Sequence, residues 1–216
     1  MWFRGVAASM ELCFINFASD KDQLYTVLNR IKKFQKKHSS KNVGSFWGYA
    51  KHLNNELSIK IASAIVEFAT LHKCDVIVFE HLDFRKKKAR GSKKQRIGLW
   101  RKNGIQKLVE HKAHRLGMRI SRICAWGTSE LAFDGSGTVT RDCDNHALAT
   151  FASGKRYNCD LSASYNIGAR YFIRELIKSI PDTEWSKRGT KVPATTLRTL
   201  STLRELAPIF FGSSAA

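Results

Sequence analysis

Hydrophobic residues recur every three or four positions over two long stretches near the start of the chain, which predicts two amphipathic helices. The first is expected to begin at an S-x-x-D capping box, Ser19 and Asp22, and to run to about Lys37. Serine and glycine residues at 39–45 interrupt the pattern. The second helix is predicted over residues 46–72, with a sustained apolar stripe formed by Leu53, Leu57, Ile61, Ile65 and Phe68.

Shorter apolar runs predict strands. Residues 11–17 have the composition of a strand, and residues 76–79 form a continuous β-branched and aromatic run that is typical of a buried strand in an α/β sheet. A helix is expected over about 104–116, followed by an alternating strand from Met118 to Trp126. This succession of helices and strands predicts an α/β fold.

The remainder of the chain is less regular. Residues 127–158 are rich in Gly, Ser, Thr and Asn, which predicts turns or a small β insert. Asp160 is expected to open a helix that runs to about Ser179 and ends before Pro181. Residues 180–216 have a peripheral character, with TTLRTLSTLREL as a marginal helix and the last six residues frayed.

The charge balance bears on the partner. The chain has 37 Lys and Arg residues against 18 Asp and Glu, a formal net charge of +19 and a pI of about 10. Such an excess favours a polyanion as the partner, because phosphates neutralised by Lys and Arg release their counterions. The alternative is a basic protein without a role in nucleic-acid binding.

The stretch 85–102 concentrates this charge, with ten Lys and Arg residues around Trp100. One interpretation is a nucleic-acid contact in which the cations meet phosphates and Trp100 is available for stacking; the other is a solvated charged loop. For Trp47, Trp100 and Trp126 a place in the core is nevertheless the expected one. The residues predicted to bind nucleic acid are Arg85, Lys86, Lys87, Lys88, Arg90, Lys93, Lys94, Arg96, Trp100 and Arg101.

Other classes of protein are disfavoured. No apolar run approaches the ~20 residues that a membrane span requires, and the first residues lack the features of a signal peptide, so no membrane partner is expected. The five cysteines are odd in number and irregular in spacing, and no CxxC occurs, which predicts reduced thiols in a cytoplasmic protein.

Two carboxylates stand out by position. Glu80 directly follows the apolar run at 76–79, at a sheet edge where α/β proteins build sites, and Asp160 opens a helix. Phosphodiester cleavage by two divalent ions needs several converging carboxylates, whose hard oxygen atoms suit Mg²⁺ or Mn²⁺. Taken alone, each residue has a simpler interpretation: Glu80 as a solvated strand end and Asp160 as a helix cap.

Three segments in this order resemble the TnpB/OrfB family of insertion-sequence proteins: DVIVFEHLDF, TSELAFDGSG and YNCDLSASYNIGARYF. The resemblance covers roughly residues 14–180 and implies a RuvC-type, RNase H-like core. It also implies an RNA-guided DNA endonuclease, related to the single-protein effectors of CRISPR systems, with DNA and a guide RNA as partners. Glu80 and Asp160 match the second and third acidic residues of that family, which hold catalytic Mg²⁺, and Ser162 stands where the family has Asn.

The sequence departs from the family in two places. No strand ending in the first catalytic Asp is visible, since the residues from Phe14 resemble the family's third strand, which predicts a truncated chain that is inactive alone. The family's zinc ribbon would place its first pair of ligands at about Ala132 and Gly135, neither of which can bind metal. Cys143, His146 and Cys159 lack zinc spacing, so no zinc is expected.

The resemblance implies a partial RNase H-like (RuvC) core with a small, degenerate zinc-ribbon-like insert. Residues 1–11 form an unassigned N-terminal segment, 12–126 the first part of the core, 127–158 the insert, 159–179 the last core helix and 180–216 a C-terminal tail. The expected function is that of a transposon-encoded nucleic-acid-binding protein, ancestrally a nuclease. The alternatives are a nuclease-dead RNA- or DNA-binding module and a decayed reading frame without activity. The sequence leaves the oligomeric state open.

Overall fold

A computed structural model of the chain describes residues 18–37, 44–81, 102–181, 183 and 192–211. The described residues fall into two compact units. The first contains the described residues up to Ile77 and those from Lys102 to Ile120, and the second contains Val78–His81 and the described residues from Ser121 onward. Among the described residues, none of the helices combines the length and the hydropathy that a bilayer span requires.

The first unit is built from three helices, α1 (Ala18–Lys37), α2 (Gly44–Leu71) and α3 (Lys102–Arg115). α2 packs against both of the others. All three predicted helices are confirmed within about two residues, although α1 begins at Ala18 and therefore already includes Ser19, the expected cap.

The stripe that α2 buries differs from the expected one. The apolar side chains predicted to face the core, from Leu53 to Phe68, are only half-buried. Full burial belongs instead to a neighbouring row of mostly small residues, here called the small-residue stripe: Ala50, Asn54, Ser58, Ala62, Val66 and Ala69. Small side chains allow two helix backbones to approach closely and are then completely covered, which fits a helix that packs against two others.

Two strands, β1 (Val76–His81) and β2 (Arg119–Cys124), are hydrogen-bonded neighbours in a small parallel sheet. The main-chain N–H of Arg119 donates to the main-chain oxygen of Asp75 at 2.9 Å. The predicted α/β class is therefore confirmed. β1 continues two residues beyond the expected end, so that Glu80 lies within the strand. The residues from Val76 to Glu80 are half-buried rather than buried, and His81 is exposed.

The predicted insert contains a three-stranded antiparallel sheet of β3 (Thr140–Arg141), β4 (Leu148–Thr150) and β5 (Arg156–Asn158). Beside it, Phe133 packs its ring against those of Phe151, Tyr157 and Tyr165, with centroid distances of 5.0–5.6 Å. The expectation of turns with a small β element at 127–158 is confirmed, and aromatic packing supplies its core.

The second unit is completed by α4 (Cys159–Ser179), a 3₁₀ turn (Thr195–Leu197) and α5 (Leu200–Phe211). Leu200, Leu203 and Leu206 of α5 are buried together with Ile173 and Leu176 of α4. The peripheral character expected for residues 180–216 is therefore wrong for α5, because its leucines form half of an apolar cluster of six buried residues shared with α4.

Candidate metal centre

Asp160 lies in the first turn of α4 and is exposed. It does not cap the helix, because Asn158 does: the Asn158 side-chain oxygen accepts from the main-chain N–H groups of Asp160 at 2.9 Å and Leu161 at 3.1 Å. Among the described residues, the Asp160 carboxylate has no hydrogen bond or ion pair. The alternative interpretation of Asp160 as a helix cap is thus wrong, and its carboxylate is available at the positive end of the helix.

Glu80 is the last residue but one of β1 and is half-buried. It belongs to the same compact unit as Asp160. No group of three or more His, Cys, Asp or Glu side chains that could hold a metal ion occurs among the described residues. The metal ligands available among the described residues do not fit a complete two-metal site, and no catalytic step through a metal is derived from them.

Two other aspartates of the second unit, Asp142 and Asp134, have local roles. Asp142 accepts from the main-chain N–H groups of Asp144 and Asn145 and from the Arg156 guanidinium at 2.9–3.0 Å. These hydrogen bonds and the positive charge of Arg156 lower the pKa of Asp142. A carboxylate committed to a turn in this way does not complete a site with Asp160 without breaking that turn. Asp83 lies outside the described residues.

Asp134 joins two turns of the insert. Its carboxylate accepts from the Ser136 main-chain N–H and hydroxyl at 3.0 and 2.7 Å, and from the Ser153 hydroxyl at 2.9 Å. Partial burial acts to raise the pKa of Asp134, but the hydrogen bonds from Ser136 and Ser153 and the nearby Lys155 outweigh it and lower the pKa. Asp134 thus holds together a region where Ala132 and Gly135 provide no metal ligands.

C-terminal to Asp160, α4 has a row of buried polar residues that the sequence pattern does not reveal: Ser162, Asn166 and Arg170, here called the polar stripe. Their spacing of four places them on one side of the helix. The Ser162 hydroxyl donates to the main-chain oxygen of Leu131. The Asn166 amide donates to the main-chain oxygens of Thr128 and Leu131 at 3.1 and 2.9 Å and accepts from the Leu200 N–H at 3.3 Å.

Arg170 is 1 % exposed and has four main-chain acceptors. Its guanidinium donates to the oxygens of Cys124 and Trp126, both at 2.8 Å, of Thr196 at 2.7 Å and of Arg198 at 3.3 Å. Burial lowers the pKa of Arg170, and the carbonyl dipoles compensate part of the cost of the buried charge. The polar stripe therefore fixes the segments after β2 and before α5 to the helix that carries Asp160.

The predictions for the tryptophans and for the basic stretch have different outcomes. Trp126 is 76 % exposed, so its expected place in the core is wrong, because the main-chain oxygen rather than the ring is held by Arg170. Trp47 packs against the cluster of Ile31 and Ala50, as expected for a core residue. The predicted basic contact of Arg85–Arg101, including Trp100, lies outside the described residues, as does the strand predicted at 11–17.

No protein-family model matches the chain, and no curated protein matches it either. The fold is similar to that of a chain in the cryo-EM structure of the Cas12f1–sgRNA–target DNA complex, with a TM-score of 0.50 and 16 % sequence identity. The similarity covers 68 % of this chain and 42 % of that chain, so the protein spans less than half of the length of its structural neighbour. At this level of identity the likeness shows a shared fold.

Proposed function

We propose that the chain is a nucleic-acid-binding protein of the TnpB/OrfB type, built on a partial RuvC-like nuclease core with a metal-free insert at 127–158. The observation that carries the proposal is the position of Asp160. Its carboxylate is exposed at the start of α4 while Asn158 performs the capping. The fold likeness to Cas12f1, which was solved with sgRNA and target DNA, and the net charge of +19 support RNA and DNA as partners.

Glu80 and Asp160 are proposed as two ligands of a divalent ion, Mg²⁺ or Mn²⁺, which would supply charge neutralisation at a phosphodiester. Productive two-metal cleavage requires further carboxylates, and among the described residues no group of three or more His, Cys, Asp or Glu side chains could hold a metal ion. We therefore propose that the chain binds nucleic acid but does not cleave it unaided. The second candidate, a module that binds nucleic acid and has lost metal chemistry altogether, is favoured by the same observation.

Metal titration separates these two candidates. Mn²⁺ binding is measured by calorimetry on the wild-type chain and on Glu80→Gln and Asp160→Asn. Asp144→Asn is the control, because Asp144 is also exposed and lies outside the proposed pair. Weaker Mn²⁺ binding by the first two variants and not by the control is expected. Equal binding by all four proteins would contradict the metal role and leave the binding module.

A cleavage assay tests the remaining part of the proposal. Labelled DNA incubated with the purified chain and Mg²⁺ is expected to stay intact. Cleavage that is abolished by Glu80→Gln would show instead that the chain is a competent nuclease.

A further inference from the structure

The C-terminal half of α1 holds the densest group of basic residues in the described part of the chain, with Arg30, Lys32, Lys33, Lys36 and Lys37 within eight positions. Arg30, Lys33 and Lys37, here called the basic stripe, are spaced by three and four residues and therefore lie on one side of the helix. All three are exposed. At 1.5 Å per residue they extend over about 10 Å of the helix axis.

An aromatic residue borders the basic stripe. Phe34 is half-buried, and its ring lies 5.5 Å from that of Phe46, centroid to centroid. It also packs against the cluster of Ile31 and Ala50, so that its position is fixed by the α1–α2 contact. Phe34 and four of the basic residues line a shallow open cavity of about 380 Å³: Arg30, Lys33, Lys36 and Lys37.

The packing of α1 does not explain this concentration of charge. Within the described residues, no ion pair joins any member of the basic stripe to an acidic side chain. Cations three and four residues apart on a helix repel each other. Lys36 and Lys37, in the last turn, are favoured there by the helix dipole, but Arg30 and Lys33 lie too far from the end to gain from it. A polyanion bound along the stripe removes the repulsion.

We infer that the basic stripe and Phe34 form a binding site for single-stranded nucleic acid, with phosphates on the cations and a base in the cavity beside Phe34. The inference rests on the proposed nucleic-acid function and adds a site to the one expected at 85–101. A single strand fits better than a duplex, because paired bases are enclosed in their stack whereas unpaired bases reach aromatic side chains.

The test measures binding of fluorescein-labelled oligo-dT and oligo-rU by fluorescence anisotropy over a range of salt concentrations. The full-length variant Lys33→Gln/Lys37→Gln is compared with Lys51→Gln/Lys107→Gln, which removes two exposed lysines from α2 and α3. The first variant is expected to bind about ten-fold more weakly at 0.1 M salt, and the slope of log affinity against log salt should fall by about 1.4. The second is expected to bind nearly as the wild type does.

Phe34→Leu tests the contact between the base and the Phe34 ring, because leucine keeps most of the side-chain volume but has no aromatic face. It is expected to weaken binding of oligo-dT about five-fold and to leave binding of an abasic strand of equal length unchanged. Equal weakening of binding to oligo-dT and to the abasic strand would overturn the placement of a base beside Phe34. A duplex bound as tightly as the single strand, and affected equally by the lysine variant, would overturn the preference for single strands.

Circular dichroism checks that each variant is folded. If Lys33→Gln/Lys37→Gln is not, Arg30→Gln is used, with an expected fall in salt slope of about 0.7 for one lost contact. A wild-type chain that binds neither strand overturns this site together with the proposed function. A wild-type chain that binds normally while the α1 variants match the Lys51/Lys107 control overturns the α1 site and leaves the proposed function standing.

Discussion

Each of the two compact units is organised by one long helix that buries a stripe of residues three or four apart, but the two stripes differ in chemistry. In α2 the small-residue stripe, with Ala50, Ser58 and Ala62, packs in a unit made mainly of helices. In α4 the polar stripe of Ser162, Asn166 and Arg170 meets the end of β2 with the turns that follow it, and the largely irregular segment that leads into α5.

The partners explain the difference. The main-chain N–H and C=O groups of a helix are hydrogen-bonded within that helix. A second helix that packs against it therefore needs side chains small enough for close approach and no polar side chains. An irregular segment has main-chain oxygens that must find donors when they are buried. Ser58 illustrates the first case, since its hydroxyl bonds to the Asn54 oxygen of its own helix, at 2.7 Å. The chemistry of a buried stripe thus reports what kind of backbone lies against it.

The largest expected effect comes from Arg170→Ala. It leaves buried main-chain oxygens without donors and opens a cavity, and we expect a loss of about 3–5 kcal/mol in the free energy of unfolding. Arg174→Ala is the matched control, because Arg174 lies one turn later on α4 with 36 % of its side chain exposed. It is expected to cost less than about 1 kcal/mol. Urea denaturation measures both, and similar losses would contradict the distinction.

The next effect concerns the turn at Gly135. Its φ is +82°, and a Cβ there would lie 2.8 Å from the Cβ of Ser201. Gly135→Ala is expected to cost about 2–4 kcal/mol, from the left-handed conformation and the overlap together. Gly154 has φ +81° and nothing within 4 Å of such a Cβ, so Gly154→Ala isolates the conformational part, about 1–2 kcal/mol. Equal melting temperatures for the two variants would show that Ser201 is not in contact.

For the small-residue stripe the informative change is an enlargement. Ala62 is fully buried, so Ala62→Leu is expected to push α2 away from its neighbours and to cost about 1–3 kcal/mol. Lys51→Leu, at an exposed position of α2, is the control and should change stability by less than about 0.5 kcal/mol. Thermal melts followed by helical circular dichroism measure both. No loss in Ala62→Leu would mean that the helices are not in close contact.

The smallest expected effect depends on pH. Because hydrogen bonds hold the pKa of Asp134 below the value of about 3.9 in an unfolded chain, its stabilisation is complete above that pH and is lost as the pH falls through its folded-state pKa. The wild type should therefore lose stability below about pH 4, and Asp134→Asn should lose less over the same interval, by under about 1 kcal/mol. Parallel losses in both proteins would exclude Asp134 as a contributor.

The sequence predicts the regular elements well because each has a clear period. Helices α1 to α4 and the strand around 76–80 lie within about two residues of their expected positions. In α2, the spacing of hydrophobic residues does not show whether the small-residue stripe or the larger side chains beside it are fully buried. Their burial depends on how closely the neighbouring helices approach. For α5, a marginal local preference is overridden by packing of Leu203 and Leu206 against α4.

For the candidate site, the sequence predicts Glu80 directly after a strand and Asp160 at a helix start; the structure has Glu80 inside β1, one residue from its end, and Asp160 in the first turn of α4. The sequence-based prediction includes neither Asn158 as the cap nor the burial of Arg170. The Asn158 cap is local, because it accepts from N–H groups two and three residues later, and Asn is a favoured capping residue. The role of Arg170 depends instead on main-chain oxygens 26–46 residues away in the sequence, which no local pattern contains.

The contacts of Arg170 have a consequence for how this protein can change over time. Its four acceptors are main-chain oxygens of residues 124, 126, 196 and 198, and every amino acid carries such an oxygen. Mutations at those four positions therefore leave the contact in place, whereas Arg170 itself has no substitute with the same fork of donors. If the partners were side chains, all five positions would be constrained; here the constraint falls on Arg170 alone. The exposed side chain of residue 126 can therefore change without loss of this contact.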